Sequence, residues 1–300
     1  MQTNRPESLC ICPCPAKINL FLAVTGRRAD GFHDLLSVVV RTAFGDTLEL
    51  EPQADASVGD VLTCTGACEG IPTDGTNLVL RAAALFRRSF PDTPPVHFIL
   101  HKRVPHGAGL GGGSSNAAAA LRLLDQFTGG VPPPRLRALA AALGSDVPLF
   151  LAPGPVIMRG RGERLEPLPE SAAAVLRGHT VILSGPPVGM ETARAYGLLA
   201  ASEAYLPGDD AEARLARWLA EPAAWPALLY NSFEAVVGRR LPTITVVLRE
   251  LRAAGIPALM TGSGSVCCAF PPTPPAAEQA NALFENAWGP HRWTTQTTLT

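Results

Sequence analysis

The sequence contains very little lysine. Only Lys17 and Lys102 are lysines among its 25 basic residues, and the rest are arginines. Arginine presents a planar fork and lysine a compact ammonium, so a site that needs a small positive charge beside a reacting oxygen does not accept the exchange. We therefore take Lys17, within PAKINLFL, as a candidate functional residue. For Lys102, at the end of an expected strand, we favour retention by chance.

Charged residues and long apolar runs are also scarce. Charged residues make up 17% of the 300-residue chain and the formal net charge is −1, which excludes a general attraction to nucleic acid or to anionic membranes. Apolar stretches are interrupted by Arg, Pro or Gly well before 18 residues, and no basic segment followed by an apolar core is found at the N-terminus. We expect a soluble, cytoplasmic monomer or homodimer whose partner is a small molecule, with no nucleic acid and no membrane.

The seven cysteines are odd in number and lack the spacing of a zinc site. Cys10, Cys12 and Cys14 alternate as they would in a strand, so their side chains should point to one face. The others are Cys64, Cys68, Cys267 and Cys268. Buried structural thiols are the better interpretation, and a metal or redox role is the alternative.

A glycine-rich segment, PHGAGLGGGSS, directly precedes an alanine- and leucine-rich stretch that predicts a helix. A helix start carries partial positive charge and N–H groups without partners, and glycines let the main chain close around an anion. We predict a phosphate-binding loop, with Ser114, Ser115 or Asn116 as the helix cap; a flexible linker is the alternative. The loop comprises Pro105, His106, Gly107, Ala108, Gly109, Leu110, Gly111, Gly112, Gly113, Ser114 and Ser115.

The common nucleotide-binding fingerprints do not fit this loop. No lysine follows the glycines as in a P-loop, and Asp125 lies too close to be the ribose-binding acid of a dinucleotide fold. The HRD and DFG strings of protein kinases do not occur. The segment is therefore a different kind of phosphate loop.

The rest of the chain alternates apolar segments, turns and helical patterns. Hydrophobic composition of 47% allows a large core, which favours two domains with a boundary near residue 170. The pattern predicts strands at 10–14, 18–24, 35–41, 46–50, 96–100, 181–183, 258–260 and 266–270, with a hairpin at 156–165. It predicts helices at 76–90, from 116, and at 135–143, 191–202, 209–220, 241–254 and 275–288.

Three separated segments together resemble the GHMP kinases, the superfamily named for galactokinase, homoserine kinase, mevalonate kinase and phosphomevalonate kinase. They are PAKINLFLAVTGRRADGFHDLLSVV at 15–39, PHGAGLGGGSSNAA at 105–118 and MTGSGSVCCAF at 260–270. LGSDVPLFL at 143–151, GRGERLEPL at 160–168 and YNSFEAVV at 230–237 extend the resemblance over nearly the whole chain.

The resemblance implies an α+β, two-domain GHMP kinase fold. Residues 1–170 would form an N-terminal domain like ribosomal protein S5 domain 2, carrying the ATP phosphate loop, and residues 171–300 a ferredoxin-like C-terminal domain. The PAKINL start and the GRRADGFH turn are similar to those of members that transfer the ATP γ-phosphate to the 2-hydroxyl of 4-diphosphocytidyl-2-C-methyl-D-erythritol, in non-mevalonate isoprenoid biosynthesis. The alternatives are a homoserine or mevalonate type of kinase, diphosphomevalonate decarboxylase, or a noncatalytic nucleotide-binding protein of the same fold.

The same resemblance implies roles for individual residues. Asp146 would be the catalytic base, although Asp-Val-Pro also suits a helix N-cap. Lys17 would neighbour Asp146 and stabilise the transferred charge, with a structural salt bridge as the alternative. ATP and Mg²⁺ are the expected cofactors, and Ser114 or Ser115 would contact the metal.

Substrate recognition is expected in the GFH turn. The ring of Phe32 would stack on cytosine and His33 would hydrogen-bond it, where many members have Tyr in place of Phe. Tyr196 is a candidate for the opposite side of the base, or else a buried helix aromatic, and Asn19 would bind either substrate or backbone. A second glycine turn, expected to approach the phosphates, comprises Gly262, Ser263, Gly264 and Ser265.

Overall fold

The computed structural model describes residues 10–53 and 55–300, which combine strands and helices as expected for an α+β protein. The strands are β1 (Cys10–Arg27), β2 (His33–Pro52), β3 (Val61–Gly66), β4 (Val96–Lys102), β5 (Val156–Gly160), β6 (Arg164–Pro167), β7 (Thr180–Gly185), β8 (Tyr230–Asn231), β9 (Ala258–Met260), β10 (Cys267–Ala269) and β11 (Trp293–Thr298). The α-helices are α1 (Leu78–Ser89), α2 (Gly112–Phe127), α3 (Pro133–Leu143), α4 (Glu170–Leu176), α5 (Thr192–Ser202), α6 (Gly208–Ala220), α7 (Glu234–Arg240), α8 (Pro242–Ala253) and α9 (Pro274–Trp288). No α-helix among the described residues is both long and apolar enough to cross a membrane.

The contacts divide the chain into two compact units, each built from several segments. The first unit contains the described residues up to Ala16, together with Gly45–His106 and Gly111–Pro153; the second contains Lys17–Phe44, Gly107–Leu110 and Gly154–Thr300. The long strands β1 and β2 therefore contribute residues to both units. The domain boundary near residue 170 stays a prediction.

The first unit combines three paired strands with three helices. Strand β3 is parallel to β4, and β4 is antiparallel to the end of β2, with Thr47 opposite His101. Helices α1, α2 and α3 pack against one another. Helix α1 follows the predicted 3.6-residue pattern and begins after Asn77, whose side chain accepts a hydrogen bond from the Val79 N–H. Large buried side chains of this unit are Leu48, Leu50, Phe86, Phe98, Leu100 and Leu121.

The second unit contains a strand group and a separate antiparallel sheet. Strand β8 is parallel to β1, and β5 pairs with both β2 and β6, which confirms the hairpin predicted near residue 160. The other sheet has the order β11-β7-β10-β9, as its strand pairing shows. The sequence did not predict β11, because its Thr-rich residues alternate between half-buried and exposed and give little apolar signal.

Strands β1 and β2 each replace two strands that the sequence predicted separately. The expected breaks contain Pro15 in β1 and Gly45 in β2, residues typical of turns, yet both strands stay extended through them. In β1 the side chains of Cys12 and Cys14 are buried on one face while Ile11 is exposed on the other, as the alternation predicts. In β2, Gly45 lies so close to β1 that an added Cβ would sit 2.2 Å from the carbonyl oxygen of Cys14.

We expect Gly45→Ala to lower the free energy of unfolding by about 3 kcal/mol, because backbone atoms cannot move aside as a flexible side chain can. Urea denaturation measures the effect. Gly75→Ala is the matched control in the same unit, since a Cβ there meets nothing within 4 Å; its change should stay within about 0.5 kcal/mol. Equal denaturation midpoints for the two variants would contradict the close contact.

Candidate functional site

Helix α2 begins inside the glycine-rich loop. Gly111 is its N-cap in the left-handed conformation, with φ 71°, and no described side chain caps the helix. The prediction that Ser114, Ser115 or Asn116 is the cap is therefore wrong: all three lie within the helix, and the Ser115 N–H donates to the Gly111 carbonyl oxygen at 2.9 Å. Glycine adopts a positive φ without strain, so the helix starts earlier. The N–H groups of its first turn lack helical partners and are available to an anion.

Ser115 carries a buried hydroxyl next to these amides. The residue is 2% exposed, and its Oγ has no hydrogen-bond partner among the described residues. Buried polar atoms are nearly always paired, so an unpaired hydroxyl at this position indicates a partner supplied from outside the chain. A phosphate oxygen or Mg²⁺ fits a hydroxyl oxygen of this kind. Ser114, at the preceding position, is only partly buried.

Lys102 lies behind the start of α2 in a buried polar cluster. Its Nζ donates to Asp46 Oδ2 at 2.5 Å and to Asn116 Oδ1 at 3.3 Å. The residue is 5% exposed. Lys102 is therefore a buried, paired cation and not an interchangeable surface residue. Its partner Asp46 is 56 positions away, and local sequence patterns gave no signal for it.

Asp146 lies in a turn before a short 3₁₀ helix, Pro148–Leu151, and is partly buried. The cap residue of that helix is Val147 and not Asp146. The N-cap alternative for Asp146 is therefore wrong.

In the second unit, Lys17 is tied to the glycine-rich loop. Its backbone N–H donates to the carbonyl oxygen of Leu110 at 2.9 Å, and its Nζ donates to Asn19 Oδ1 at 2.8 Å. Lys17 and Asn19 share one face of β1 because side chains repeat every second residue in a strand. Lys17 is 6% exposed. Burial and the hydrogen bond to Asn19 therefore restrict the ammonium to one position.

The side chain of Asn19 is used within the protein. Besides accepting from Lys17, it donates through Nδ2 to Ser37 Oγ at 2.8 Å, and Ser37 Oγ donates to the Phe21 carbonyl oxygen at 2.6 Å. The Asn19 backbone N–H donates to Thr261 Oγ1 at 2.9 Å. The side chain of Asn19 thus bonds two other side chains, which is neither of the two predicted uses, and substrate binding by Asn19 stays a prediction.

The second glycine turn lies against the first. A Cβ added to Gly262 would sit 2.7 Å from the carbonyl oxygen of Gly109, and one added to Gly109 would sit 3.0 Å from that of Thr261. Only glycine permits this backbone approach. Ser263 and Ser265 are also held, because Ser263 Oγ lies 3.0 Å from Thr192 Oγ1 and Ser265 Oγ donates to the Val188 carbonyl oxygen at 2.6 Å.

Asn231 positions the second glycine turn, which the sequence reasoning did not anticipate. Its Nδ2 donates to the carbonyl oxygens of Met260 at 2.6 Å and Gly262 at 2.8 Å, while its Oδ1 accepts from the Phe233 N–H at 2.8 Å. The signal was present in the motif YNSFEAVV, but nothing in the motif alone indicated which backbone groups the amide would bind.

His33 lies among aromatic rings. Its ring centroid is 5.0 Å from that of Tyr196 and 5.9 Å from that of Tyr205, whose hydroxyl lies 3.3 Å from His33 Nε2. Burial, with a smaller effect of the Arg27 charge, lowers the pKa of His33, which favours the neutral imidazole. The sequence reasoning missed Tyr205, an aromatic residue in the loop after α5.

Phe32 points outward beside this cluster and is 54% exposed. The Arg161 guanidinium lies 4.3 Å from the centre of its ring, in a cation–π contact. An exposed aromatic ring is a suitable surface for stacking a base. Arg161 belongs to the motif GRGERLEPL, although the sequence gave it no role.

The cysteines form no disulfide among the described residues: Cys12, Cys14, Cys267 and Cys268 are buried, and Cys10, Cys64 and Cys68 are partly buried. Burial raises the pKa of Cys14 and Cys64 to about 12. Burial also raises the pKa of Cys267 and Cys268. Among the described residues no group of three or more His, Cys, Asp or Glu side chains is placed to hold a metal ion.

Comparison with known proteins gives the class. The model of the GHMP kinases N terminal domain matches residues 77–154, and that of the GHMP kinases C terminal matches residues 210–288. A homoserine kinase from Cytophaga hutchinsonii is 17% identical, with a TM-score of 0.70 over 95% of this chain and 94% of that one, a likeness that concerns the fold alone. The chain has the GHMP kinase fold, as its motifs predicted.

Two closer relatives give the family. The 4-diphosphocytidyl-2-C-methyl-D-erythritol kinase of Thermosynechococcus vestitus is 38% identical, over 86% of each chain. A crystal structure of 4-(cytidine 5'-diphospho)-2C-methyl-D-erythritol kinase is 34% identical, with a TM-score of 0.74 over 96% of this chain and 99% of that one. The chain belongs to the 4-diphosphocytidyl-2-C-methyl-D-erythritol kinase family, which confirms the resemblance drawn from its motifs.

We expect Asn231→Leu to lower the free energy of unfolding by about 3 kcal/mol, because it leaves three buried backbone groups without partners. Chemical denaturation checks this. Asn281→Leu, a partly buried asparagine on α9, is the control and should change stability by less than about 1 kcal/mol. If both variants unfold at the same denaturant concentration, the amide of Asn231 does not hold the turn.

Proposed function

We propose that this protein transfers the γ-phosphate of ATP to the 2-hydroxyl of 4-diphosphocytidyl-2-C-methyl-D-erythritol, a step of non-mevalonate isoprenoid precursor biosynthesis. The observation that carries the proposal is the start of α2, where amides without helical partners adjoin the buried hydroxyl of Ser115, which has no hydrogen-bond partner among the described residues. That arrangement suits a triphosphate. Membership of the family, with 38% identity to a named kinase, supports the choice of substrate.

The loop from Pro105 to Ser115 holds the ATP phosphates through its main-chain amides. Two of its glycines are held in different ways: Gly111 is the N-cap of α2, and Gly109 packs against the turn at Gly262. Phosphoryl transfer needs alignment and charge neutralisation more than covalent chemistry, so rigid donors around the phosphates supply much of the catalysis. Mg²⁺, when bound, neutralises phosphate charge, and Ser115 is the better placed of the two candidate serines to contact it.

Lys17 and Asp146 act on the acceptor alcohol. Asp146 accepts the proton of the 2-hydroxyl as general base. The Lys17 ammonium stabilises negative charge on the alcohol oxygen and on the transferred phosphoryl group. The hydrogen bond from Lys17 Nζ to Asn19 Oδ1 fixes the position of the ammonium. Asn19 therefore acts through Lys17.

The cytidine part of the substrate binds at Phe32, His33 and Tyr196. Phe32 offers an exposed face for stacking, and a neutral His33 has both a donor and an acceptor nitrogen with which to read the base. Tyr196 lies beside His33, where it limits the space for the base. We place the enzyme in the cytoplasm, acting on this small molecule.

Turnover of ATP with separate alcohols tests the function. Product formation with 4-diphosphocytidyl-2-C-methyl-D-erythritol, and not with mevalonate or homoserine, is the expected result. Phosphorylation of mevalonate or homoserine would instead favour another GHMP activity. Tight binding of a nonhydrolysable ATP analogue with no turnover of any alcohol would favour a noncatalytic nucleotide-binding protein.

Asp146→Asn should fold normally and bind ATP, yet its kcat should fall by about 10²- to 10⁴-fold because the amide cannot accept the proton. Steady-state kinetics and binding of an ATP analogue measure the two effects. Asp92→Asn, an exposed residue, is the control and should keep wild-type kcat. A near-normal kcat for Asp146→Asn would remove Asp146 from the role of base.

Lys17→Arg should also be a poor enzyme although it keeps the charge. The buried ammonium is bonded to Asn19 at 2.8 Å, and a larger planar guanidinium cannot occupy the same position, so we expect kcat to fall at least about tenfold. Melting temperature is measured alongside, and a value near wild type assigns the loss to catalysis. Full activity of Lys17→Arg would contradict the argument from lysine usage.

A further inference from the structure

The ammonium of Lys102 joins three segments of the first unit. Its partner Asp46 belongs to β2, Lys102 itself ends β4, and Asn116 lies in α2. The triangle is closed, because Asn116 Nδ2 donates to the same carboxylate oxygen, Asp46 Oδ2, at 2.9 Å. All three side chains are buried. We call these residues the Lys102 cluster.

The second oxygen of Asp46 holds the chain just after β4. Asp46 Oδ1 accepts from the backbone N–H groups of Arg103 at 2.7 Å and Val104 at 2.8 Å. These residues directly precede the glycine-rich loop, which starts at Pro105. The entry of the loop is thus fixed by one carboxylate that Lys102 keeps in place.

The exit of the loop is held by the same cluster. A Cβ added to Gly112 would lie 3.3 Å from Lys102 Nζ and 3.1 Å from a methyl carbon of Val104, so the first residue of α2 rests on the cluster. Asn116, four residues further along α2, ties the next turn to it. Both ends of the loop are therefore anchored to one buried ion pair.

Such an anchor answers a specific problem of this loop. Glycines lose more backbone freedom on ordering than other residues, so a glycine-rich loop keeps its amides aimed at a ligand only if something outside it fixes the ends. A buried ion pair adds little net stability compared with an apolar pair of the same shape. The ion pair of Lys102 and Asp46 is therefore better explained by its fixing of the loop ends than by a gain in stability.

We infer that Lys102 is a positioning residue for ATP: it sets the geometry of the amides at the start of α2 and does not itself take part in the phosphoryl transfer. Lysine suits this position better than arginine, because the space above Nζ is filled by Gly112 and Val104 and a planar guanidinium would displace them. The inference rests on the proposed role of the loop as an ATP site.

The test compares Lys102→Met with Arg87→Met. Arg87 pairs with Asp60 at 2.7 Å in the same unit, away from the loop, and the pair is partly buried; its loss should lower stability and leave ATP kinetics unchanged. For Lys102→Met we expect the KM for ATP to rise about tenfold while the KM for the cytidylyl alcohol stays within about twofold. Amide hydrogen exchange over residues 111–116 should become faster in Lys102→Met only.

The inference is overturned if Lys102→Met, like Arg87→Met, is merely less stable, with wild-type KM for ATP and unchanged exchange at the start of α2. Should Lys102→Met fail to fold, Asn116→Ala is the second variant, because it keeps the ion pair and removes only its hydrogen bonds to α2. It should raise the KM for ATP and speed amide hydrogen exchange over residues 111–116. Wild-type values for both measurements would contradict the inference. If the wild-type protein phosphorylates no alcohol, the proposed function fails, and the exchange measurement with binding of a nonhydrolysable ATP analogue still decides the role of Lys102.

Discussion

The start of α2 leaves backbone N–H groups without helical partners. The conformation of Gly111 and the surroundings of Ser115 both follow from where this helix begins. Gly111 must take a positive φ for the helix to begin where it does. Ser115 is buried, and its hydroxyl has no hydrogen-bond partner in the part of the chain that the structure describes. A helix end of this kind is costly in an isolated protein and favourable once an anion binds. In the proposed phosphate site, the glycines would therefore serve the ligand, and the buried Lys102 cluster holds the helix end in place.

The long strands β1 and β2 hold the ammonium of Lys17 through a chain of buried hydrogen bonds. Strand β1 carries Lys17 and Asn19 on one face, and Ser37 on β2 completes the chain of hydrogen bonds that begins at the Lys17 ammonium. Because each member is buried and bonded to the next, the ammonium has a fixed position before any substrate arrives. Side chains locked in this way need little reorganisation during reaction, which is the condition for effective electrostatic catalysis.

Sequence predicted what depends on local pattern and missed what depends on distant partners. Periodicity located α1, α9 and the hairpin of β5 and β6, and the glycine-rich segment located the start of α2 to within a few residues. The serines were mistaken for caps because a glycine at positive φ starts the helix earlier than side-chain preferences suggest. Strand β11 lacked an apolar pattern, and Lys102 looked incidental because its partner Asp46 is brought to it only by the pairing of β2 with β4.

The fold alone cannot explain which alcohol is phosphorylated, since a homoserine kinase shares it at 17% identity and a TM-score of 0.70. Discrimination must lie in residues outside the common framework. We propose that the turn carrying Phe32 and His33 is such a place, with the rings of Tyr196 and Tyr205 beside the imidazole. A neutral imidazole can both donate and accept, and rings around it can stack on a planar base. In the proposed site, an alcohol without a nucleobase, such as mevalonate or homoserine, would lack the stacking and hydrogen-bond contacts that a cytosine ring makes, so binding energy there would favour a cytidylyl substrate over smaller alcohols.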